Sequence, residues 1–535
     1  TGRKLELVER AAIRGALAPR ALVASTRKLY IADQVTNALI TVDKGELSEQ
    51  HQSPTCRRPS SLALAGAQLV VNCLFEHAIS VRSLDALGLP GRESARIENA
   101  GPFWAIAALE ADGASWIAAS GVEDRALERF DGAFGYVDSF ASLFRVSGSR
   151  WERVWSANVS ELSVLVPKAL LLERTSPSHF AITVSSTGTD RLLRFDVDAH
   201  ARTSSFESAP FAPGVTDLLR VHERLYAAST LLDAWIAAAS EPSGEPSLKQ
   251  IASAPVAVNV DRRLGEALAF TSLIAPHATS AGQNSRFTCE TCHFEGGVDA
   301  RVHHTGRGNV HVVTRPLFGL LRNAPHFSRA LDPDLTSVSH NEFRVAGLGN
   351  PDDPWFTLRT NEFPWLAALG VRTDVGPEAL RRALLEFLAG YEFPKNPRTR
   401  GRHRFSPDQA RGAELFRDHC ETCHAARLAS DDSATHVGFE GWEPSLFELD
   451  GPLVWARGDY ERTGVLPYVN EKGTRVPSLR RVADKFPYFT NGSARSLEAV
   501  VARSARVGGY FSHAAPDAEF EGDDARALVA FLELL

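Results

Sequence analysis

The stretch Leu29-Tyr30-Ile31-Ala32-Asp33-Gln34-Val35-Thr36-Asn37-Ala38-Leu39-Ile40-Thr41-Val42-Asp43 decides the fold of the N-terminal half. Two short runs rich in β-branched and aromatic residues flank a polar turn, which is the pattern of a strand, a turn and a second strand. The theme returns as LVVNCLFEHAISVRSLD from Leu69, SWIAASGVEDRALERFD from Ser115, HFAITVSSTGTDRLLRFD from His179 and LYAASTLLDAWIAAAS from Leu225. A spacing of roughly 40 to 65 residues matches the period of four-stranded blades. Residues 1–256 therefore read as an all-β propeller, with a pair of β-sandwiches as the competing architecture. With Leu5 to Ile13 available as a closing strand, six or seven blades are expected.

Beyond Pro255 the spacing becomes helical, and a second repeat emerges. The pentapeptide Cys-Glu-Thr-Cys-His occurs at Cys289 to His293 and again at Cys420 to His424. Arg263 to Phe270 precedes the first copy and Ala410 to Phe416 the second, each with the periodicity of an amphipathic helix. Pro377 to Tyr391 and Asp523 to Leu535 read as helices that close the two copies. The sequence thus predicts two tandem, mostly α-helical units at 257–396 and 397–535, making a multidomain chain.

Two thiols three residues apart on a tight turn can add to the vinyl groups of one haem, and the adjacent His can ligate its iron. In a chain with six Cys and seventeen His, one such motif arises by chance roughly 0.002 times, so two copies are not accidental. A zinc site would need further Cys or a His pair at ligand spacing beside each motif, and the remaining cysteines lie far upstream. The expected cofactors are two covalently bound haem c groups, held by Cys289, Cys292 and His293 and by Cys420, Cys423 and His424. Domains of cytochrome c type follow.

Composition narrows the rest. Lys and Arg number 58 against 65 Asp and Glu, for a net charge of -7, with 44% hydrophobic and 23% charged residues. This gives no basic footprint for nucleic acid, and no apolar run of about 18 residues could span a bilayer. The opening segment TGRKLELVERAAIRGALAPR has no apolar core of signal-peptide type, so a periplasmic or otherwise exported chain whose signal has been removed is expected. Cys56 and Cys73 are left over, open to a disulfide in an oxidising compartment or to two buried thiols.

The N-terminal copies resemble blades of the YVTN-type propeller family. Residues 259–535 resemble the dihaem cytochrome c peroxidase and MauG family, most closely in Val476-Pro477-Ser478-Leu479-Arg480, Phe486-Pro487-Tyr488-Phe489-Thr490-Asn491-Gly492-Ser493 and Ser496-Leu497-Glu498-Ala499-Val500. The resemblance implies a first haem with a free or labile sixth position where hydrogen peroxide reacts. It implies a second, six-coordinate haem that stores or relays an electron, and a calcium ion between the two domains. The family's second haem takes Met or Tyr on its far side. With no methionine in the sequence, Tyr510 is nominated, ahead of His513 and Tyr488.

Around the first motif, His311 stands where the resemblance places a loop histidine that leaves on activation, with His303 and His304 as lesser candidates. Glu342 is the expected distal acid-base residue. The family's segment carrying its inter-haem Trp and distal acids is replaced here by His326 to Ala330 and Asp332 to Phe343, which leaves Trp355 or Trp365 as candidate electron relays. The expected function is an exported peroxidase-like oxidoreductase whose propeller recognises a redox protein or protein substrate. The alternatives are a non-catalytic electron-transfer protein with a propeller docking module, or a dihaem oxygenase.

Overall fold

The computed structural model describes residues 10–124, 137–222, 224–239, 247–250, 259–276, 288–304, 311–327, 332–347, 355–449, 451–462, 471–502, 513 and 520–535. The chain divides into two compact units, one of residues 1–125 and 137–251 and the other of residues 126–136 and 252–535.

The first unit is a β-propeller of five four-stranded antiparallel sheets, at residues 19–54, 59–98, 103–158, 169–210 and 215–250. Each sheet is a meander whose strands pair in chain order. The first strands of successive blades, Pro19–Ala24, Pro59–Ala65, Phe103–Ala111, Ala169–Ser176 and Val215–Val221, pack on one another. The repeated sequence covers the second and third strands of a blade and the turn between them. In the first blade Lys28–Asp33 pairs with Ala38–Asp43, Tyr30 opposite Thr41 and Ala32 opposite Leu39. Second strands such as Gln68–Cys73 and His179–Ser185 are buried along nearly their whole length, which explains why they read as continuous apolar runs rather than as alternation.

The polar residue that ends each second strand also has a structural cause. Asp33, fully buried, accepts bonds from the amides of Leu17 (2.7 Å), Ala18 (2.6 Å), Val35 (3.0 Å) and Thr36 (2.8 Å), so one carboxylate fixes both the chain entry and the turn. At the equivalent place Asn72 donates to the Phe103 carbonyl (2.7 Å) and Ser120 to the Pro167 carbonyl (2.5 Å), each tying its blade to the next. A buried carbonyl left unpaired would cost about 1–3 kcal/mol.

Two expectations change. Five blades, not six or seven, lie among the described residues. Leu5 to Glu9 fall outside them, and residues 10–13 form no strand. The third blade has the longest strands, Ala114–Asp124 and Val137–Ser147, with 11 residues each and paired to the Asp124–Val137 end. The run at 125–131, expected as that copy's second strand, lies outside the described residues. In the second blade Cys56 and Cys73 form a disulfide with Cα atoms 5.6 Å apart, fastening the chain before the first strand to the end of the second.

Among the described residues the second unit contains α1 (Val260–Phe270), α2 (Leu335–Gly347), α3 (Pro377–Ala389), α4 (Pro407–His419), α5 (Trp442–Phe447), α6 (Leu497–Ala502) and α7 (Gly522–Leu532). Helix thus covers a minority of it, where the sequence predicts mostly α-helical units, and long irregular connections make up the rest. α1 crosses α3 and α4 crosses α7, in one repeated way. A Cβ on Gly265 would lie 2.0 Å from the Ala383 carbonyl oxygen and 2.6 Å from the Phe387 Cβ. A Cβ on Gly412 would lie 2.0 Å from the Ala527 oxygen and 2.8 Å from the Phe531 Cβ. The duplication continues downstream, where Phe327 and Phe489 both have positive φ, 64° and 66°, beside the bridges His326 to Asp332 and Tyr488 to Ala494.

Gly412→Ala should therefore destabilise the protein by about 1–3 kcal/mol through overpacking, although alanine is the better helix former by about 1 kcal/mol. Urea unfolding followed by circular dichroism measures the balance, and a stabilised variant would contradict the crossing. In the propeller, Cys56→Ser with Cys73→Ser should cost about 3 kcal/mol, read from the same titration.

Candidate functional site

α4 begins with Ser406 capping the Gln409 amide while the Gln409 side chain returns to the Ser406 amide, and Pro407 occupies its first turn. It ends at Cys420, where the motif folds into one further turn. The amides of Cys423 (3.1 Å) and His424 (2.9 Å) both donate to the Cys420 carbonyl. The first motif repeats this closure, with Cys292 (3.3 Å) and His293 (2.8 Å) donating to the Cys289 carbonyl. Each copy thus carries two free thiols on one turn beside an imidazole.

Burial pushes the Cys289 thiol up and the Cys420 thiol up to about 12, yet all four cysteines remain partly accessible. Burial likewise drives His293 down to about 4 and His424 to about 3, so both imidazoles are neutral at pH 7, the form that ligates a metal. The Nδ1–H of His424 donates to the Trp455 carbonyl at 3.4 Å, which leaves the Nε2 lone pair for a ligand. Trp455 turns its carbonyl that way through a left-handed backbone (φ 53°) and packs on Trp442, with ring centroids 4.9 Å apart.

The first site is more polar. Asp299, fully buried, accepts from Arg301 Nε (2.7 Å), Thr314 Oγ1 (3.0 Å) and His303 Nε2 (2.8 Å). Arg301 also donates to the Thr291 carbonyl inside the motif (2.9 Å), and His303 Nδ1 lies 3.9 Å from the Cys292 sulfur. Burial alone would raise the Asp299 pKa, but the charges of His303 and Arg301 outweigh it and hold the carboxyl far below the usual range. Glu342, on α2, is close enough to Cys289 for its charge to raise that thiol. Burial first, and the charge of Asp332 second, push Glu342 itself up to about 7.

Between the two motifs runs a cleft lined by Arg315, Asn323, Arg475, Arg480 and Lys485 among others. The backbones of Arg315 and Pro477 on its wall approach His293 and His424 respectively. Burial lowers Arg315 and Arg475 to about 10, and burial with the neighbouring guanidiniums takes Lys485 well below its ordinary value. Glu392 pairs with Arg480 at 2.8 Å, while Lys485 donates to the Ser478 carbonyl at 2.8 Å. Crowded buried cations of this kind are relieved by carboxylates from a ligand. Paired thiols on one turn, a neutral imidazole, aromatic walls and buried cations together fit a haem, with its vinyl groups, iron, flat ring and two carboxylates.

The remaining predicted residues are spread out. His311 is exposed on the short ribbon Val302–His304 with His311–Val313, opposite His304. Trp355 packs with His340 (5.1 Å) and Phe343 (5.3 Å), and Trp365 with Phe363 (6.5 Å). Tyr510 lies outside the described residues. No group of three or more His, Cys, Asp or Glu converges on a bare metal ion among the described residues. Sequence reading missed the Asp299–Arg301–His303 cluster and the cationic cleft. The alternation Asp-x-Arg-x-His on an extended run was the available signal for the first, whereas the cleft joins residues from 315 to 485.

No family model and no curated protein sequence matches the chain. Solved structures with a similar fold include virginiamycin B lyase from Staphylococcus aureus, 10% identical over 44% of this chain and 71% of that one (TM-score 0.31). Hydrazine synthase from Kuenenia stuttgartiensis is 11% identical over 46% and 70% (TM-score 0.32). A nidogen/laminin complex is 12% identical over 44% and 80% (TM-score 0.30). At such identities and scores these likenesses concern the fold of the propeller alone and say nothing of chemistry. No helix among the described residues is long and apolar enough to cross a membrane.

Asp299→Asn should cost about 3–5 kcal/mol by leaving Arg301 and His303 buried without their anion. Because folding depresses the Asp299 pKa, its contribution is fully present above the ordinary carboxylate value of about 4 and is lost gradually as pH falls from there down through the folded-state value. Denaturant midpoints of wild type and variant should therefore differ by a constant amount from pH 7 to pH 5 and draw closer from pH 4 to pH 3 without meeting, because the folded-state value lies below that range.

Proposed function

We propose that this chain is an exported dihaem c-type oxidoreductase whose second unit comprises two tandem cytochrome c domains. Cys289 and Cys292 would hold one haem, for the reduction of hydrogen peroxide to water, and Cys420 and Cys423 would hold another, for storing or relaying electrons supplied by a redox protein that the propeller recognises. The observation that carries this reading is the repeated assembly of a Cys-x-x-Cys-His turn, a neutral buried imidazole and a glycine-mediated helix crossing. The Cys56–Cys73 disulfide supports export, since such bonds persist in oxidising compartments.

Bound haem supplies an iron for O–O bond cleavage and for holding electrons. The chain's own residues supply the rest. His293 and His424 would hold the two irons, His424 through Nε2, and the Arg315, Arg475 and Lys485 side chains would neutralise the haem carboxylates. Asp299 and Arg301 clamp the Thr291 carbonyl and so fix the first turn. Glu342, poised near 7, takes a proton from incoming peroxide on its carboxylate and returns it to the departing oxygen, the task for which an acidity constant near the working pH is best suited.

Mass spectrometry of protein matured with a c-type haem assembly system should find two covalently added haems, and their absence would sink the proposal. With both attached, the peroxide reaction should rise with pH through an inflection near 7. In Glu342→Gln the inflection should vanish and the rate fall by roughly 100-fold or more. Equal pH profiles for wild type and variant would remove Glu342 from proton transfer.

A further inference from the structure

We propose that His513 is the far-side ligand of the haem at Cys420 and Cys423, so that this iron is held between two histidines. The inference rests on the haem reading above and sharpens it at one atom. His513 and His424 come from distant parts of the chain, yet their ring centroids stand 6.0 Å apart, with the ring planes at 50°. Two imidazoles joined by a direct N–H···N bond have centroids only about 5 Å apart. With metal–nitrogen bonds of about 2 Å and a ring centre about 1 Å behind each nitrogen, imidazoles on opposite sides of one metal have centroids roughly 6 Å apart. The observed separation leaves room for one metal atom. Relative rotation of the planes does not disturb such a pair, because each ring turns freely about its own metal–nitrogen axis.

Both rings are held. His424 is anchored through Nδ1 to the Trp455 carbonyl. His513 lies 5.0 Å from the ring of Phe489, whose left-handed backbone (φ 66°) ends the Phe486 to Phe489 segment. His513 thus takes the far-side position for which the sequence puts Tyr510 forward. Two neutral imidazoles stabilise the ferric state more than a His/Met pair does, so a low potential follows for this haem.

The test uses the full-length protein carrying both haems. Near-infrared magnetic circular dichroism and low-temperature electron paramagnetic resonance should find one low-spin haem with two nitrogen ligands. In His513→Gly that signature should be replaced by a high-spin or altered one, and added imidazole should restore it. His513→Met, as the milder variant, should stay low-spin with the His/Met signature and a raised midpoint potential. The inference is overturned if two haems are attached but the wild-type low-spin signature is of His/Tyr type, or if it persists unchanged in His513→Gly or His513→Met. A chain that matures without haem overturns the proposed function, and this ligand with it, and is distinguished by mass alone.

Discussion

The second unit depends on two backbones being able to touch. At Gly265 against Ala383, and again at Gly412 against Ala527, helices approach so closely that no side chain fits between them. In the second half this contact holds α4, which runs directly into the Cys-x-x-Cys-His turn at Cys420, whereas in the first half α1 ends at Phe270, well before Cys289. The crossing also brings Phe387 and Phe531 to the same relative position. In the second half Phe531 meets Phe416, Trp442 and Trp455 at centroid distances of 5.3 to 5.9 Å, a wall built outward from one crossing. In the first half Phe387 meets Phe270 and Tyr391 at 5.6 and 4.7 Å. Helix propensity would favour alanine at either glycine, so steric closeness outweighs it there.

Much of this was legible in the sequence for a physical reason. The four helices of the two crossings were read to within three or four residues at their ends, because one apolar face per helix leaves a 3.6-residue trace. The blades were legible because second strands lie buried on both faces. The blade count was not, since it depends on how much chain each blade spends on its connections, and periodicity carries no mark of that. Asp33 and Asn72 stood out in the repeat as polar endings, but only the fold shows that each satisfies main-chain groups of another strand or blade.

Side-chain roles were legible in proportion to how local they are. The thiols and imidazoles of the motifs follow from five consecutive residues. Glu342 was chosen by chemistry alone, and the fold brings it to Cys289 with a carboxyl near 7. His311 was chosen by its place in the chain, and it sits exposed on a ribbon. His513 was ranked behind Tyr510 because analogy, not geometry, set the order. The cleft was invisible because its cations are separated by up to 170 residues and their repulsion is a property of space.

The two halves share a scaffold, but their side chains have diverged in kind. Around the first motif lie groups that hold or exchange protons, Asp299, His303 and Glu342, while Arg301 locks the turn. Around the second lie indole and phenyl rings and a second imidazole, which exclude water and exchange no proton near neutral pH. A site meant to turn over peroxide must move protons as bonds break, whereas a site meant to hold an electron works best when its surroundings do not reorganise. The same helix crossing supports both, because it fixes only the main chain of the crossing helices and leaves the facing side chains free to differ. In the proposed reading, the cationic cleft then joins a proton-handling site to an electron-holding one within a single compact unit.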